Sequence, residues 1–302
     1  MPKTLVVIAG PTAVGKTAVA IELAKALNTR IVSADSRQCY HEMTIGTAKP
    51  SSEELSEVKH YFIDEFPVTK NITAADYEHL ALEYINQIFE RNNFAVLTGG
   101  TGLYIKAVCE GLDEMPPVNP AIEKEVTDHY ATQGLEWLQH AVRQEDPEFF
   151  SSGEVQNPAR LLRALVFKRS TGVSIVRFRT GRKKERPFRI IKFVLDLPRP
   201  ELYLRIEQRV DQMMKQGLLD EVRTLYPQRN LKNLQTVGYV ELFEYLEGKC
   251  SLDEAVANIR QHTRNYAKRQ LTWFRKDPEF IWLNPQNAQA AILSKLNINP
   301  GY

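Results

Sequence analysis

A short glycine-containing motif near the amino end constrains the fold of this chain more than any other feature. Residues 10–17 read GPTAVGKT, which has the form G-x-x-x-x-G-K-S/T. The apolar run Leu5–Ala9 before it predicts a buried strand, and the residue spacing from Lys16 onward predicts a helix. A strand, a glycine loop and a helix in this order predict a site that binds phosphate groups, because the helix N-terminus attracts anions.

The side chains of this loop have chemistry that suits a bound phosphate. Gly10 and Gly15 let backbone N–H groups curl around an anion without Cβ clashes. Lys16 supplies a mobile positive charge, and Thr17 offers a hydroxyl to Mg²⁺, which makes Thr17 the candidate metal ligand. The motif alone does not distinguish a nucleoside triphosphate from another compound that carries a diphosphate.

Strand-like runs alternate with helical spacing beyond the loop. Residues 30–35, 58–66 and 94–100 predict further strands, and residues 73–91 predict a helix capped by Thr73. This alternation predicts an α/β fold in which helices flank a parallel sheet of the P-loop NTPase type.

The pattern changes in the middle of the chain. Prolines at residues 116–120 mark a break, after which the spacing is helical until a strand-like run returns at residue 189. We therefore predict a catalytic core of residues 1–114 and 189–302, with basic C-terminal helices, and an inserted all-helical domain of residues 115–188.

Two further segments place polar side chains where strands end. Asp35 follows the second predicted strand, where it could hold Mg²⁺ through water, accept a proton, or only cap a turn. Thr101 lies in the glycine turn LTGGTGLY and offers a hydroxyl toward a leaving oxygen, although such a turn also occurs without a ligand. Asp196 resembles a Walker B acid but comes very late in the chain, which argues against a motor or hydrolase.

Positive charge is segregated although the formal net charge is only +2. Residues 255–276 contain six lysines or arginines and no acid, and Arg264 and Lys268 share one helical face. Residues 177–192 and the segment NPARLLRAL are also basic. Such clusters favour a nucleic-acid partner, and the alternative is a solvated helix whose charges pair with acids elsewhere.

Composition excludes several other classes of protein. The three cysteines form no CxxC pair and the six histidines are scattered, so we expect neither a disulfide framework nor a zinc finger. No apolar stretch approaches the length of about 20 residues that a membrane span needs. We expect a cytoplasmic monomer with no membrane partner.

Taken together, seven segments resemble the tRNA dimethylallyltransferases, also called tRNA isopentenyltransferases, of the bacterial type without a zinc-finger tail. The resemblance extends from Val6 to Lys276 and is carried by GPTAVGKT, SADSRQ, IGTAKP, LTGGTGLY, NPARLLRAL, RIEQR and AKRQLTWFRK. It implies transfer of a dimethylallyl group from dimethylallyl pyrophosphate to N6 of adenosine 37 in tRNA. It also implies Mg²⁺, and a base flipped out of the anticodon stem-loop into a channel.

The resemblance assigns roles to particular residues. Asp35 becomes the base at adenine N6, Thr101 the hydroxyl near the bridging oxygen, and Lys16 a group that stabilises the leaving pyrophosphate. The expected pyrophosphate-binding residues are Gly10, Thr12, Ala13, Val14, Gly15, Lys16, Thr17 and Arg209, with Arg205 as a competing match for Arg209. The expected tRNA-binding residues are Asp35, Ser36, Arg37, Gln38, Thr101, Ala159, Arg160, Leu161, Leu162, Arg163, Arg264, Lys268 and Arg269.

Some positions depart from the family pattern, and other functions stay open. The usual VYRGMDIGTAKP reads CYHEMTIGTAKP here, which affects local loop contacts rather than the chemistry. An adenylate isopentenyltransferase that acts on a free nucleotide, a P-loop nucleoside or nucleotide kinase, and a non-catalytic RNA-binding protein are the alternatives. None of the three needs the glycine turn, Asp35 and the basic helices together.

Overall fold

The apolar run near the amino end forms the strand around which the sheet is built. In the computed structural model, which describes residues 2–298, every residue of this strand is buried. Parallel neighbours pair with it on both edges, in the order β3-β2-β4-β1-β5-β6. The strands are β1 (Thr4–Ala9), β2 (Ile31–Ser33), β3 (His60–Tyr61), β4 (Phe94–Gly99), β5 (Arg189–Leu195) and β6 (Ile281–Leu283). The predicted α/β fold with a parallel sheet is confirmed.

Helices account for most of the remaining described residues. The helix Ala74–Phe89 begins as predicted, because the Thr73 hydroxyl accepts from the Asp76 N–H and Asp76 accepts from the Thr73 N–H. The helices are α1 (Lys16–Ala26), α2 (Ser52–Glu57), α3 (Ala74–Phe89), α4 (Gly102–Glu110), α5 (Pro120–Glu145), α6 (Pro147–Ser152), α7 (Pro158–Thr171), α8 (Arg199–Lys215), α9 (Leu218–Leu225), α10 (Val240–Leu246), α11 (Leu252–Phe274) and α12 (Ala288–Lys295).

The register of the sheet brings three loops to one edge. Ala9 lies opposite Gly99 of β4 and opposite Val194 of β5. Ser33 of β2 lies opposite Thr98. Because all these strands are parallel, the segments that follow β1, β2 and β4 open at the same carboxyl edge, where ligands bind in such sheets.

Each face of the sheet is covered by its own apolar cluster. Leu5, Val7 and Ala9 pack on one face, and Val6 and Ile8 pack on the other. Burial of each large aliphatic side chain contributes about 1.5–3 kcal/mol. The alternation of β1 side chains between two helical layers explains why the whole run is apolar.

The buried Lys192 of β5 pairs with carboxylates at the end of α4 and just before β6. The Lys192 ammonium donates to Glu110 at 3.3 Å, Asp277 at 2.9 Å and Glu279 at 2.8 Å. These three carboxylates lie close enough together to hold a cation, and Lys192 already supplies one. We therefore regard the cluster as a structural ion pair rather than as a metal centre.

The chain divides into two compact units. The first comprises residues 1–110 and 185–302, and the second comprises residues 111–184, which begins and ends slightly before the expected 115–188. The second unit consists of α5, α6, α7 and a short 3₁₀ turn around a separate apolar cluster that includes Leu138, Leu161 and Leu165. Within it, buried Asp146 accepts from the Phe149 N–H and from the Ser174 hydroxyl.

Candidate active site

The predicted phosphate loop has the backbone geometry that an anion requires. Gly15 has φ of 100° and Ala13 has φ of 66°, so the chain reverses through left-handed conformations before α1 starts. A Cβ on Gly10, whose φ is 154°, would lie 2.8 Å from the carbonyl oxygen of Leu195. Among the described residues no side chain caps α1, which leaves its first N–H groups for a ligand.

Lys16 lies within this loop, and its pKa is unusually low for a lysine. Its ammonium donates to the carbonyl oxygen of Pro11 at 2.7 Å. Burial and then the positive charge of Arg209 lower the pKa of Lys16 to about 7, while the negative charge of Asp35 acts in the opposite direction. An anion bound here would favour the charged lysine, so the site is electrostatically prepared for a diphosphate.

The two arginines that the sequence could not distinguish, Arg205 and Arg209, both lie next to the phosphate loop. Arg209 of α8 lines the same cleft, and its guanidinium donates to the Thr12 hydroxyl at 3.4 Å. Burial lowers the pKa of Arg209, and the charge of Glu54 opposes this effect. Arg205 donates to Glu201 at 2.8 Å and to the carbonyl oxygen of Val14 in the phosphate loop at 3.5 Å, and it is not among the residues that line the cleft. Both arginines therefore lie beside the phosphate loop, and Arg209 is the one that lines the cleft.

Asp35 faces the cleft and also fixes its own loop. Its Oδ1 accepts from the backbone N–H groups of Arg37 at 2.9 Å and Gln38 at 3.3 Å. No hydrogen bond to its Oδ2 occurs among residues 2–298. The carboxylate thus caps the turn through Oδ1, and the residue lines the cleft, where its role as a base stays a prediction.

The glycine turn after β4 lies against the Asp35 loop. The Thr101 hydroxyl accepts from the Ser36 N–H at 3.1 Å, and the Thr101 N–H donates to the carbonyl oxygen of Ala34 at 3.1 Å. A Cβ on Gly99 would lie 2.2 Å from that same carbonyl oxygen, so only glycine allows this approach. These contacts bring Thr101 beside the predicted base.

One face of α11 closes the cleft, which the sequence did not predict. Ile259, Thr263, Tyr266 and Gln270 follow helical spacing and all line the cleft, whose volume is about 550 Å³. Burial and the charge of Asp35 raise the pKa of Tyr266 to about 12. The spacing of these four residues by three or four positions could have indicated a cleft-facing side of α11. The prediction for this helix instead rested on the charged residues of its other face.

A carboxylate from α9 holds the IGTAKP loop in the cleft wall. Glu221 accepts from the N–H groups of Thr44 at 3.1 Å, Ile45 at 2.7 Å and Gly46 at 3.0 Å. It also accepts from the Tyr239 hydroxyl at 2.7 Å. A carboxylate that receives four hydrogen bonds is strongly stabilised, so this loop is rigidly attached to α9.

The predicted basic face of α11 is partly neutralised within the protein. Arg264 donates to Glu207 of α8 at 3.0 Å, and Arg260 donates to Asp211 at 2.5 Å. Lys268 and Arg269 are exposed, and the Arg269 guanidinium lies 5.7 Å from the centre of the Tyr266 ring. Arg264 is therefore paired with an acid of the protein, as the alternative interpretation of the basic helix expected. Lys268 and Arg269 are exposed and can contact a polyanion.

The predicted RNA contacts in the second unit lie on α7. Asn157 caps this helix, and its Oδ1 accepts from the N–H groups of Ala159 at 3.1 Å and Arg160 at 3.4 Å. Arg160 also pairs with Glu154 at 2.7 Å, and Arg163 is exposed. Of the two leucines predicted to contact tRNA, Leu162 is half-buried and Leu161 is fully buried in the core of this unit. The side chain of Leu161 therefore supports the helix rather than meeting a ligand.

Asp196, the one residue with Walker B character, lies outside the cleft. Its Oδ1 accepts from the Leu197 N–H at 2.9 Å, and its Oδ2 lies 3.9 Å from the Arg275 guanidinium. It lines a separate groove. This position removes the main support for a motor or hydrolase.

The cleft contains groups that suit a magnesium ion bound mainly through a diphosphate. The Thr17 hydroxyl and the carboxylates of Asp35 and Glu54 all line it. Mg²⁺ in proteins is held by one or two oxygen ligands together with substrate phosphates and water. The donor set therefore fits the predicted metal. None of the helices in the described part of the chain is long and apolar enough to cross a membrane.

Comparisons with known proteins agree with this geometry. The family model described as IPP transferase matches residues 38–277. The tRNA dimethylallyltransferase 1 of Bacteroides thetaiotaomicron is 44% identical over 295 residues, which covers 98% of this chain and 96% of the relative. The tRNA dimethylallyltransferase of Christiangramia forsetii is 44% identical over 301 residues, which covers 98% of this chain and all of the relative.

Solved structures give the same result. The tRNA isopentenylpyrophosphate transferase of Bacillus halodurans is 35% identical with a TM-score of 0.72, covering 98% of this chain and 97% of that one. A eukaryotic dimethylallyltransferase acting on tRNA shares the fold at 22% identity, with a TM-score of 0.80 and coverage of 98% and 80%. The cleft, the family match and these relatives together establish that the chain belongs to the IPP transferase family, the tRNA dimethylallyltransferases.

Proposed function

We propose that this chain transfers the dimethylallyl group of dimethylallyl pyrophosphate to N6 of adenosine 37 in tRNA, giving N6-(dimethylallyl)adenosine. One observation carries the proposal. A single cleft contains an anion-binding loop with Lys16 and Arg209, and also Asp35. Thr101 is hydrogen-bonded to the loop that carries Asp35. A displacement reaction needs groups that stabilise the leaving anion and a base that takes a proton from the nucleophile. The cleft offers Lys16 and Arg209 for the first task and Asp35 for the second.

The donor half of the cleft stabilises the departing pyrophosphate. The bond from the allylic carbon to the bridging oxygen breaks, and its electron pair leaves with the pyrophosphate. Lys16, Arg209 and the N–H groups at the start of α1 face the negative charge that develops. The Thr101 hydroxyl donates to the bridging oxygen. Thr17 would hold Mg²⁺ together with the donor, and the ion would supply additional positive charge against the leaving group.

The acceptor half activates adenine N6, a weak nucleophile because its lone pair is delocalised into the ring. The N6 nitrogen forms the new bond to the allylic carbon, and its proton passes to Asp35. Two backbone N–H groups hold Oδ1 of this carboxylate in place, so Oδ2 is free to accept the proton. Gln38 assists by donating to the carbonyl oxygens of Thr47 and Ala48, each at 3.1 Å, which fixes the loop.

The RNA is held by exposed cations and by one unsatisfied donor. Arg37 lines the cleft, and its Nε is buried without a hydrogen-bond partner among residues 2–298. A buried donor of this kind is a position at which a ligand acceptor is expected. We propose that Lys268 and Arg269 of α11 bind the phosphate backbone, and that Arg160 and Arg163 of the second unit are a separate set of cations for tRNA.

We propose a monomer that works in the reducing cytoplasm. All three cysteines, Cys39, Cys109 and Cys250, are unpaired. Burial raises the pKa of Cys39 and of Cys109 to about 12, so these thiols are unreactive at neutral pH.

A label-transfer assay tests the proposal. The protein is incubated with Mg²⁺ and dimethylallyl pyrophosphate labelled in the allyl group, together with either unmodified tRNA or AMP. We expect label on tRNA at adenosine 37 and none on AMP. Label on AMP alone would identify a free-nucleotide enzyme, and phosphate transfer from γ-labelled ATP to a nucleoside would identify a kinase.

A further inference from the structure

A buried glutamine in the cleft wall joins two loops that are distant in sequence. Gln270 of α11 is only 6% exposed. Its Oε1 accepts from the Thr12 N–H at 2.9 Å, and its Nε2 donates to the carbonyl oxygen of Gly100 at 2.9 Å. One side-chain amide therefore connects the phosphate loop, the glycine turn and the basic helix.

The chemistry of the two partners specifies the residue type. A backbone N–H only donates and a carbonyl oxygen only accepts, so the bridging group needs one acceptor and one donor at equal reach. Glutamate cannot donate to Gly100, and asparagine is one methylene shorter. A Cβ on Gly100 would lie 2.2 Å from Nε2, so glycine at this position makes the bridge possible.

The two bridged segments flank the bond that breaks in the proposed reaction. Thr12 lies in the loop that holds the pyrophosphate, and Gly100 directly precedes Thr101. A shift of one loop against the other would misalign the Thr101 hydroxyl with the bridging oxygen without removing either binding surface. Misplacement of reacting groups by about 1 Å costs about 100-fold in rate.

We propose that Gln270 is a positioning residue that sets the phosphate loop against the glycine turn and fixes both to α11. This inference depends on the proposed transfer reaction. Tyr266, one turn earlier on α11, lines the same cleft, and Lys268 and Arg269 lie exposed between the two. Gln270 therefore also links the helix that meets RNA to the loop that holds the donor.

The test compares variants that keep the volume of the side chain. Gln270→Met removes both hydrogen bonds, and Gln270→Glu keeps the acceptor but loses the donor. Gly100→Ala disturbs the same bridge from the opposite side. Gln212→Met, at an exposed position on α8 outside the cleft, is the matched control.

Four quantities are measured on each folded variant: the single-turnover transfer rate, the dissociation constants of donor and of tRNA, and the unfolding midpoint. We expect Gln270→Met to slow transfer by at least about tenfold while both dissociation constants change by less than about threefold, and we expect Gln270→Glu to slow transfer by at least as much. Combining Gln270→Met with Gly100→Ala should cost less than the product of the single effects, because both act on one bridge.

Two outcomes would overturn the inference. One is a rate for Gln270→Met within twofold of the wild type, once corrected for the folded fraction. The other is a loss confined to donor affinity with an unchanged rate at saturation, which would make Gln270 a binding residue. A wild-type protein that transfers no label to tRNA would instead refute the proposed function, so the two failures are distinguishable.

Discussion

Replacing Asp35 with asparagine separates the two roles that the structure gives this side chain. The amide oxygen of asparagine still accepts from the N–H groups of Arg37 and Gln38, which now bond to Oδ1 of the carboxylate. The side chain loses its ability to take the proton of adenine N6. Asp35→Ala removes both functions, so the pair of variants measures each one.

The expected magnitudes differ for the two roles. A positioned general base contributes about 100- to 10,000-fold in rate, which is about 2.7–5.5 kcal/mol of barrier. A side-chain cap contributes about 1 kcal/mol to stability. Asp35→Asn should therefore lose the catalytic factor with an unchanged unfolding free energy. Asp35→Ala should lose the same factor and, in addition, about 1 kcal/mol of stability.

Single-turnover transfer of labelled dimethylallyl groups to tRNA measures the rate, filter binding measures tRNA affinity, and urea unfolding measures stability. Asp76→Asn is the control, since Asp76 caps α3 outside the cleft and its replacement should leave transfer unchanged. Transfer by Asp35→Asn within threefold of the wild type would show that the base lies elsewhere. A tRNA affinity that falls in parallel with the rate would assign Asp35 to binding.

Three further predictions concern the anion site, the RNA and the second unit. Arg209→Ala should raise the KM for the donor and lower kcat, whereas Arg205→Ala should change both by less than about threefold, as steady-state assays will show. Lys268→Ala should weaken tRNA binding and lower the salt slope of binding by about one, and Arg264→Ala should have the smaller effect because its charge is already paired. The bidentate contact from Arg169 lowers the pKa of Glu145 below its ordinary value, so the stabilisation is complete above the ordinary pKa and is lost as the pH falls through the lowered one. Glu145→Gln should therefore flatten the loss of stability in acid unfolding curves, and an unaltered curve would contradict this explanation.

Local features of the sequence predicted the part of the site that local chain geometry creates. The phosphate loop, Asp35 and Thr101 each follow a strand, and parallel strands deliver their carboxyl ends to one edge, so the positions of these residues could be inferred. The choice between Arg209 and Arg205 could not, because residues four apart share a helical face. In the structure Arg209 lines the cleft, whereas Arg205 pairs with Glu201 and also donates to the carbonyl oxygen of Val14 in the phosphate loop.

The remaining parts of the site depend on contacts between distant segments. Gln270 and Glu221 bind backbone groups of loops near the amino end, and no spacing in the sequence indicates these partners. The charges on α11 predicted a cationic face, but the acids of α8 that neutralise Arg264 and Arg260 belong to another helix. The strand β6 was missed because it is only three residues long and lies between two helices, with six residues separating it from the end of α11.

The strand order also determines when each strand of the sheet finds its neighbour during synthesis. β1 is synthesised first, but its neighbour β5 begins only at Arg189, after the entire second unit. Until then one edge of β1 presents unpaired backbone groups that can template pairing with other nascent chains. Gln270 is translated later still, so a prematurely released polypeptide carries the anion loop without the amide that aligns it. Early termination should therefore give an inactive fragment that tends to associate, rather than a slower enzyme.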